Sequence, residues 1–404
     1  MMARAGLFVQ QAAGFKAFVP ADFPPRDLAI DAGRTRLLTA AHQALGRLVG
    51  AADFVPNPDL FIAVYVRREA VLSSQIEGTQ GTLDELFQFE VSPEGMERPR
   101  DLEEIVNYVR ALNRARDRLE DLPLSIRLIR EIHADLMAGV RGREREPGEI
   151  RRSQNWIGGS TLANAAFVPP PIHEMWQALD QWEKYLHDDS SDPLIQAALM
   201  HAQFETIHPF LDGNGRVGRL LVPLLLQERR VLERGRALLY PSVYLKLHRD
   251  EYYQRLTRIR TDGDWEGWVD FFLEAIRQVA HEGQATIRDV IHLREQHRAM
   301  AAADGRAGPN MARALEALVR EPAMTAAILA GRLDVSEVTA MSVINRLSAL
   351  GLLRETTGRR RNRVFSYEPY LDLFSEASFQ RRVESAPKPP DTRVSEQGQR
   401  FMHV

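Results

Sequence analysis

The chain has 404 residues, with 52 Lys and Arg against 55 Asp and Glu and a formal net charge of −3. That length accommodates two or three domains, and the near balance of charge excludes an overall field that would attract a nucleic acid or a membrane. Because cysteine is absent, a disulfide scaffold, a thiolate metal site and a cysteine nucleophile are excluded as well.

The N-terminal residues predict a cytoplasmic protein with no membrane contact. Residues 1–20 lack the basic start and apolar run of a secretory signal, and no apolar run approaches the roughly eighteen residues that a spanning helix needs. Residues 1–30 contain Pro20, Pro24 and Pro25 and show little periodicity, which indicates an arm lying across a neighbouring surface.

From Asp31 to about residue 301 the pattern is typical of a mainly α protein. Apolar residues recur at three- and four-residue spacing, with few β-branched alternations. The predicted helices cover residues 33–49, 58–77, 101–119, 123–139, 172–187, 193–206, 215–230, 247–260, 264–281 and 282–301.

The helix predicted at 58–77 ends on an acidic residue. Asn57 is a favoured N-cap, Pro58 suits the first helical position, and Gly78 favours termination. Glu77 then lies in the last turn, where the helix dipole disfavours an exposed carboxylate by about 0.3–1 kcal/mol. We therefore expect a cation beside Glu77, with Ser73 one turn earlier able to hydrogen-bond the carboxylate.

Residues 155–169, called the flap below, differ from the helical pattern. Two short apolar pieces flank Gly, Ser and Asn residues, which predicts a hairpin between helices.

The stretch from His208 to Arg219 predicts an anion site at the start of a helix. Pro209 disfavours helical geometry at His208, so the preceding helix ends there. The turn Asp212–Gly215 then opens the next helix. Its unpaired backbone N–H groups and the helix dipole suit a di- or triphosphate.

The side chains of this stretch add to the same chemistry. Arg216 and Arg219 share one helical face and can reach the same polyphosphate. Asp212 can hold Mg²⁺ that bridges phosphate oxygens, and His208, with an ordinary pKa of about 6.5, suits proton abstraction from a hydroxyl. A Gly-Asn-Gly turn or a histidine that occurs alone is usually structural, but here the turn, a histidine, an aspartate and two arginines all lie between His208 and Arg219. Without a Gly-Lys-Ser sequence this is not a P-loop.

The C-terminal part predicts a winged helix-turn-helix domain over residues 305–373, after a linker at 304–310 and before a flexible tail at 374–404. The predicted elements are helices Met311–Arg320, Ala326–Gly331 and Ser336–Leu350, and strands Leu352–Glu355 and Arg363–Tyr367.

The charged residues of this domain do not decide whether its binding partner is DNA or a protein. Residues 354–363 hold five arginines against one glutamate, which suits contact with a phosphate backbone. The third helix, however, offers few base-reading side chains beyond Asn345 and Arg346, and winged helices also mediate protein contacts and dimerisation. The candidate DNA contacts are Arg346, Arg359, Arg360 and Arg361.

His208-Pro-Phe-Leu-Asp-Gly-Asn-Gly-Arg-x-x-Arg219 matches, without a substitution, the signature of Fic-domain proteins. The resemblance covers about residues 1–300, including the flap and residues 252–272. It implies an all-helical Fic core over 101–300 with a small β-hairpin flap, preceded by an arm and an inhibitory-helix region over 1–100. It also implies transfer of AMP from ATP to Tyr, Thr or Ser hydroxyls of a protein, the enzyme itself included, with diphosphate leaving.

By the same resemblance, His208 deprotonates the target hydroxyl, Phe210 anchors the loop and Asp212 binds Mg²⁺. Arg216 contacts the β-phosphate and Arg219 the γ-phosphate. The implied phosphate-binding residues together are Gly213, Asn214, Gly215, Arg216, Val217, Gly218 and Arg219.

Ser73–Gly78 resembles the inhibitory motif of Fic proteins in the class that carries it N-terminally. The resemblance implies that Glu77 pairs with Arg219 and misplaces ATP. In some members the same Glu supports removal of AMP.

The flap resembles a target-docking hairpin, in which Ile157 and Leu162 would hold an extended target segment. Tyr252 and Tyr253 are the candidates for the adenine and ribose surroundings. Where some relatives have Asn shortly afterwards, this chain has Arg260, which puts selectivity for adenine in doubt.

Two alternatives to an adenylyltransferase remain open. One is a DNA-binding regulator with a nucleotide-sensing Fic core, against which the intact His208 and Asp212 argue. The other is a Fic enzyme that removes AMP or transfers another group, such as UMP, GMP or phosphate. A homodimer is expected from the resemblance alone.

Overall fold

The computed structural model describes residues 4–54, 58–93, 99–139, 145–233 and 239–385. These residues are predominantly helical, as predicted, and their strands are short. The predicted arm forms an antiparallel hairpin of β1 (Gly6–Gln10) and β2 (Lys16–Pro20). It lies against the flap, because the Phe18 backbone N–H donates to the Val168 carbonyl at 3.0 Å.

A run of helices follows the hairpin. They are α1 (Ala32–Ala52), α2 (Pro58–Ile76), α3 (Leu83–Val91), α4 (Pro99–Arg118), α5 (Ile126–Leu136), α6 (Ile172–Leu186), α7 (Pro193–Ile207), α8 (Asn214–Glu228), α9 (Ser242–Leu247), α10 (Arg249–Asp262) and α11 (Trp265–Ala302).

Helices α7 and α8 pack against each other at the centre of the molecule. Every residue of α7 from Leu194 to Ile207 is buried, the polar ones included, so the helix is surrounded by protein on all sides. Around this pair, α11 packs along α1, and α2 packs against α4, α8 and α9. Both helices that carry the His208–Arg219 stretch are therefore fixed by the core.

Most predicted helices coincide with observed ones to within three residues at either end. The division at residues 281–282 was wrong, since α11 continues through it. No proline or capping residue interrupts the helical spacing of apolar residues there. Leu48 of α1 packs closely on Gly283, since a Cβ added at Gly283 would lie 2.9 Å from Leu48 Cδ1. The predicted cap Asn57 lies outside the described residues.

In the part of the chain before α11, two short helices and one hairpin were not predicted. Helix α3 begins at a capping box, in which the Thr82 backbone N–H donates to Glu85 Oε2 at 2.8 Å and the Glu85 N–H donates back to Thr82 Oγ1 at 3.2 Å. Helix α9 is too short for apolar periodicity to predict it. In the β1–β2 hairpin, four of the five residues of β1 are exposed, so no alternation of apolar and polar residues marks the strand.

The C-terminal region contains three helices and a small antiparallel sheet. The helices are α12 (Gly308–Arg320), α13 (Ala326–Leu333) and α14 (Glu337–Ala349), and the strands are β3 (Ala323–Met324), β4 (Arg354–Glu355) and β5 (Phe365–Ser366), in the order β3-β5-β4. Strand β3 was not predicted, and the other two are shorter than predicted. Residues 303–307 connect α11 to α12, which packs on α11 and α2.

The predicted flexible tail is partly wrong. Residues 374–385 lie within the described part of the chain, and after α15 (Glu368–Leu371) they include α16 (Glu376–Glu384). Phe379 of α16 is buried, and Arg382 bonds Glu282 and Asp289 of α11. Residues 386–404 lie outside the described residues.

Among the described helices, none combines the length and apolar composition that crossing a lipid bilayer requires.

Candidate active site

His208 occupies the corner between α7 and α8 in a left-handed conformation, with φ at 50°. This conformation is unfavourable for a residue with a side chain, so the surroundings must hold it. Its N–H donates to the Phe204 carbonyl at 2.9 Å. Its carbonyl accepts from Arg151 Nε at 3.0 Å and from Asn155 Nδ2 at 3.3 Å. Residues before and within the flap thus fix the backbone that orients the imidazole.

The imidazole of His208 is neutral at physiological pH. Its Nδ1 atom is enclosed. Burial lowers the pKa of His208 to about 3, the charges of Arg260 and Arg151 add to this effect, and Glu77 opposes it. A neutral imidazole can accept a proton from a hydroxyl, as a general base must.

Phe210 and Asn214 shape the turn that follows. The buried Phe210 ring stacks on His133, with centroids 3.8 Å apart and planes at 10°. The Phe210 N–H donates to Asn214 Oδ1 at 2.8 Å, and Asn214 Nδ2 donates back to the Phe210 carbonyl at 2.8 Å. The Asn214 side chain therefore closes the loop, which leaves its backbone N–H at the start of α8 for a phosphate.

His133 of α5 supports the same turn and was missed in the sequence. Its Nδ1 accepts from the Gly148 N–H at 2.8 Å, so its Nε2 carries the proton and donates to the Asp212 carbonyl at 3.1 Å. Burial lowers the pKa of His133 to about 4, which keeps this tautomer neutral. Gly213 has φ at 75°, and a Cβ there would lie 3.1 Å from Met137 Sδ.

The side chain of Asp212 is suited to a metal that arrives with a nucleotide. Asp212 is exposed and lies just before α8, and its Oδ1 accepts from the Gly213 N–H at 2.6 Å. Mg²⁺ characteristically binds one or two carboxylates together with phosphate oxygens. Within the described ranges no group of three His, Cys, Asp or Glu residues could hold a metal alone.

Both predicted phosphate-binding arginines are engaged with acidic residues. Buried Arg216 donates from Nη1 to Glu104 Oε2 of α4 at 3.2 Å. Arg219 donates from Nη2 to Glu77 Oε1 at 2.7 Å, from Nε to Ser73 Oγ at 2.9 Å and from Nη2 to the Ser73 carbonyl at 3.0 Å. The predicted contact between Glu77 and Arg219 is thus present.

The two partners of that contact differ in exposure. The Arg219 side chain is 1% exposed, whereas the Glu77 side chain is 37% exposed and borders open space. Burial alone would raise the pKa of Glu77, but the charge and hydrogen bond of Arg219 outweigh it, so the pKa lies below its ordinary value. At Gly215 a Cβ would lie 2.1 Å from Glu77 Oε1, so only glycine leaves room for the carboxylate.

The buried carboxylate of Glu69 lies on α2, two turns before Glu77, and was also missed in the sequence. Glu69 Oε1 accepts from Ser242 Oγ at 2.5 Å and from the Tyr108 hydroxyl at 3.3 Å. Burial raises the pKa of Glu69 to about 7. These contacts connect α2 to α4 and α9, and so fix the helix that presents Glu77.

The two tyrosines of α10, Tyr252 and Tyr253, differ in exposure. The hydroxyl of buried Tyr252 lies 2.9 Å from His201 Nε2, while His201 Nδ1 lies 2.9 Å from the Gly218 carbonyl. Because a carbonyl only accepts, His201 donates through Nδ1 and accepts from Tyr252. Tyr252 therefore supports α8 through His201, on the buried side of that helix. Tyr253 is partly exposed and is the tyrosine that a ligand could contact. The Val217 side chain is fully buried.

The flap is a short hairpin. The Ile157 N–H donates to the Phe167 carbonyl at 2.8 Å, and a 3-10 turn at Leu162–Asn164 forms its tip. Ile157 and Leu162 are half-buried, whereas Trp156, which was not predicted as a contact, is exposed.

The four candidate DNA contacts lie in different settings. Arg346 pairs with Asp304, and Arg359 donates to Ser92 Oγ at 2.7 Å. Arg360 and Arg361 are exposed. Two of the four are therefore occupied by contacts within the chain.

Two regions of this chain are similar in sequence to known proteins. The family model for the Fic/DOC N-terminal region matches residues 35–117 of this chain. The family model for the Fic/DOC family matches residues 123–226. Protein adenylyltransferase Fic from Drosophila ananassae is 32% identical over 160 residues, which cover 39% of this chain and 28% of that protein. The Drosophila yakuba protein of the same name is 31% identical over the same shares. The chain thus matches less than a third of the length of these curated relatives.

The chain is similar in fold to a solved structure. The crystal structure of a Fic family protein from Desulfovibrio desulfuricans G20 has a TM-score of 0.54 at 20% identity, covering 84% of this chain and 97% of that chain.

Proposed function

We propose that this chain, which matches the Fic/DOC family over residues 35–117 and 123–226 and is similar to protein adenylyltransferase Fic, transfers AMP from ATP to a Tyr, Thr or Ser hydroxyl of a target protein, itself included. The observation that carries the proposal is the corner at which a neutral imidazole, a helix N-terminus and two buried arginines converge.

In the proposed reaction His208 accepts the hydroxyl proton while the target oxygen bonds to the α-phosphorus. The bond from that phosphorus to the β-phosphate oxygen breaks, and diphosphate leaves. Such a displacement depends on positioning and charge neutralisation more than on covalent help from the protein. The backbone N–H groups at the start of α8, with Arg216 and Arg219, would neutralise the phosphates.

Mg²⁺ bound with the nucleotide would be held by Asp212 and would supply further positive charge to the phosphate oxygens.

The contact between Glu77 and Arg219 supports inhibition of the site, because it engages the arginine that a γ-phosphate would need. A γ-phosphate would have to displace a carboxylate held at 2.7 Å, and Arg216 would likewise have to leave Glu104. We propose that Glu77 restrains the transfer and that its release is the activating event. Removal of AMP supported by the same Glu77, or transfer of another group, is the alternative for this site.

The flap is the proposed docking surface for the target. An extended target segment could pair with a strand edge through main-chain hydrogen bonds, held by Ile157 and Leu162. For residues 305–373 we propose a winged helix-turn-helix, supported by the order of α12, α13, α14 and the β3-β5-β4 sheet. Exposed Arg360 and Arg361 support DNA as a partner, whereas the contacts of Arg346 with Asp304 and of Arg359 with Ser92 within the chain weaken that case.

Labelling with α-labelled ATP tests the proposal. A whole-cell lysate is incubated with the wild-type protein, the Glu77→Gly variant and the Glu77→Gly, His208→Ala double variant. Labelled protein bands that appear with Glu77→Gly and vanish in the double variant are expected. Bands that persist in the double variant would contradict the role of His208. For the alternative, salt-sensitive retention on duplex DNA that is lost on changing Arg360 and Arg361 to Ala would support a DNA partner.

A further inference from the structure

Arg260 of α10 is buried beside the catalytic corner. The residue is 9% exposed, and its guanidinium carbon lies 3.8 Å from the centre of the Phe167 ring in the flap. Its Nε donates to Thr206 Oγ1 at 3.2 Å, and its Nη2 donates to the Glu205 carbonyl at 3.2 Å. These two partners belong to the last turn of α7, immediately before His208.

Through these contacts Arg260 joins two parts of the site that are far apart in sequence. Phe167 is the base of the flap, since its N–H donates to the Ile157 carbonyl at 3.1 Å. Thr206 and Glu205 set the end of the helix from which the imidazole projects. A shift of Arg260 would therefore move the flap and the base relative to each other.

Arg260 has no ion-pair partner among the described carboxylates within 4 Å. Burying an arginine without a direct ion pair is costly, and its hydrogen bonds to Thr206 and Glu205 and its contact with the Phe167 ring offset part of that cost. Burial lowers the pKa of Arg260 to about 10, which still leaves the guanidinium charged at neutral pH.

The charges that face His208 come from four elements. Arg260 of α10 and Arg151 of the segment before the flap are positive, and Glu77 of α2 is negative. Glu205 precedes it on α7, and burial raises the pKa of Glu205 to about 7, so that carboxyl is a weak counter-charge near neutral pH. In the Glu77→Gly protein the positive charges predominate.

We propose that Arg260 is a positioning residue for the transfer reaction, which joins the flap to the last turn of α7 and sets a fixed positive charge beside the His208 imidazole. The inference rests on the proposed function, because only a reaction that uses His208 as a base benefits from both effects. Positive charge near a histidine favours its neutral form. The contact with Phe167 aligns the docked hydroxyl with that base.

Titration of His208 tests the charge independently of activity. The midpoint is measured by NMR on histidine-labelled protein in the Glu77→Gly background, with the His208→Ala variant identifying the signal. Arg260→Gln removes the charge, and we expect the midpoint to rise by about one unit or more. Arg260→Lys keeps the charge and loses the planar stacking, and Phe167→Leu removes the ring alone. Both should leave the midpoint within a few tenths of a unit.

Rates of AMP transfer across pH test the positioning. Arg260→Gln should lose more activity at about pH 4 than at pH 8, because its raised midpoint leaves a larger share of His208 protonated at the lower pH. Arg260→Lys and Phe167→Leu should lower the rate by a similar factor at every pH. Should the Gln variant not fold, as judged by circular dichroism, Arg260→Met repeats the neutral substitution with an apolar chain.

An unmoved His208 midpoint in the neutral variants, or an equal shift in Arg260→Lys, would overturn the inference. If the Glu77→Gly protein transfers no AMP at all, the proposed function fails while the titration still decides whether Arg260 acts on His208.

Discussion

Arg219 Nη2 donates to Glu77 Oε1 at 2.7 Å, and this contact joins the second turn of α8 to the residue that follows α2, across 142 residues of sequence. The guanidinium is buried and the carboxylate is partly exposed, so the pair closes the site from its open side. A ligand that competes for Arg219 must displace Glu77, whose side chain is partly exposed.

Gly215→Ala should weaken this contact. A Cβ at position 215 would lie 2.1 Å from Glu77 Oε1, and the carboxylate is the end of a flexible side chain that can move away. We expect AMP incorporation several-fold above the wild type, because the contact is weakened and not removed, whereas full loss of a charged hydrogen bond of about 1.5–3 kcal/mol would give about ten- to a hundredfold. The measurement is incorporation of α-labelled AMP.

Gly50→Ala, on α1 and with no atom within 4 Å of the added Cβ, is the matched control and should leave the rate unchanged. In the Glu77→Gly background, Gly215→Ala should give no further rise. Equal rates for wild type and Gly215→Ala would show that the close approach to Glu77 does not limit activity.

Glu69→Gln should make the stability of the protein less dependent on pH. Burial raises the pKa of Glu69 to about 7, above an unfolded value of about 4.3, so the folded state holds the proton more tightly. The stability from this group is therefore fully present below about pH 4.3 and is lost as pH rises through about 7. The amide of the variant keeps a neutral group there at every pH.

Urea unfolding at pH 5 and pH 8 measures this effect. The loss of stability between the two values should be smaller in Glu69→Gln than in the wild type. A loss of the same size in both proteins would mean that Glu69 does not titrate between them.

Glu282→Gln should destabilise the fold strongly. Glu282 of α11 is completely buried and pairs with Arg68 of α2 at 3.2 Å and with Arg382 of α16 at 3.3 Å. Without its charge, two guanidinium groups lose their buried partner, which typically costs about 3–5 kcal/mol. Asp289→Asn removes the half-exposed partner of Arg382 and should cost less than about 1 kcal/mol.

The free energy of unfolding of both variants decides this prediction. Similar values for Glu282→Gln and Asp289→Asn would contradict a buried ion-pair network that anchors α2 and α16 to α11.

The sequence predicted those features that neighbouring residues determine. Pro209 ends α7 before the corner, and the helical spacing on either side predicts α7 and α8. The end of α2 next to Gly78 implied a cation for Glu77, but only the family resemblance identified it as Arg219.

Features that depend on distant residues were not predictable. Glu104 and Arg216 are 112 positions apart, and nothing in either segment indicates the other. Arg151 and His133 hold the backbone of the corner through carbonyl groups, which carry no sequence signal. The flap contact of Phe18 likewise required the folded chain. The unpredicted α16 is short and polar, and Phe379 becomes informative only once α11 provides a surface for it.

The most direct measurement of the central claim is incorporation of α-labelled AMP by the purified wild-type and Glu77→Gly proteins, with Glu77→Gln as the uncharged variant of similar size. We predict a rise of about ten- to a hundredfold for Glu77→Gly, from the worth of one charged hydrogen bond, and a smaller rise for Glu77→Gln. A Glu77→Gly protein that incorporates no more AMP than the wild type would contradict the account.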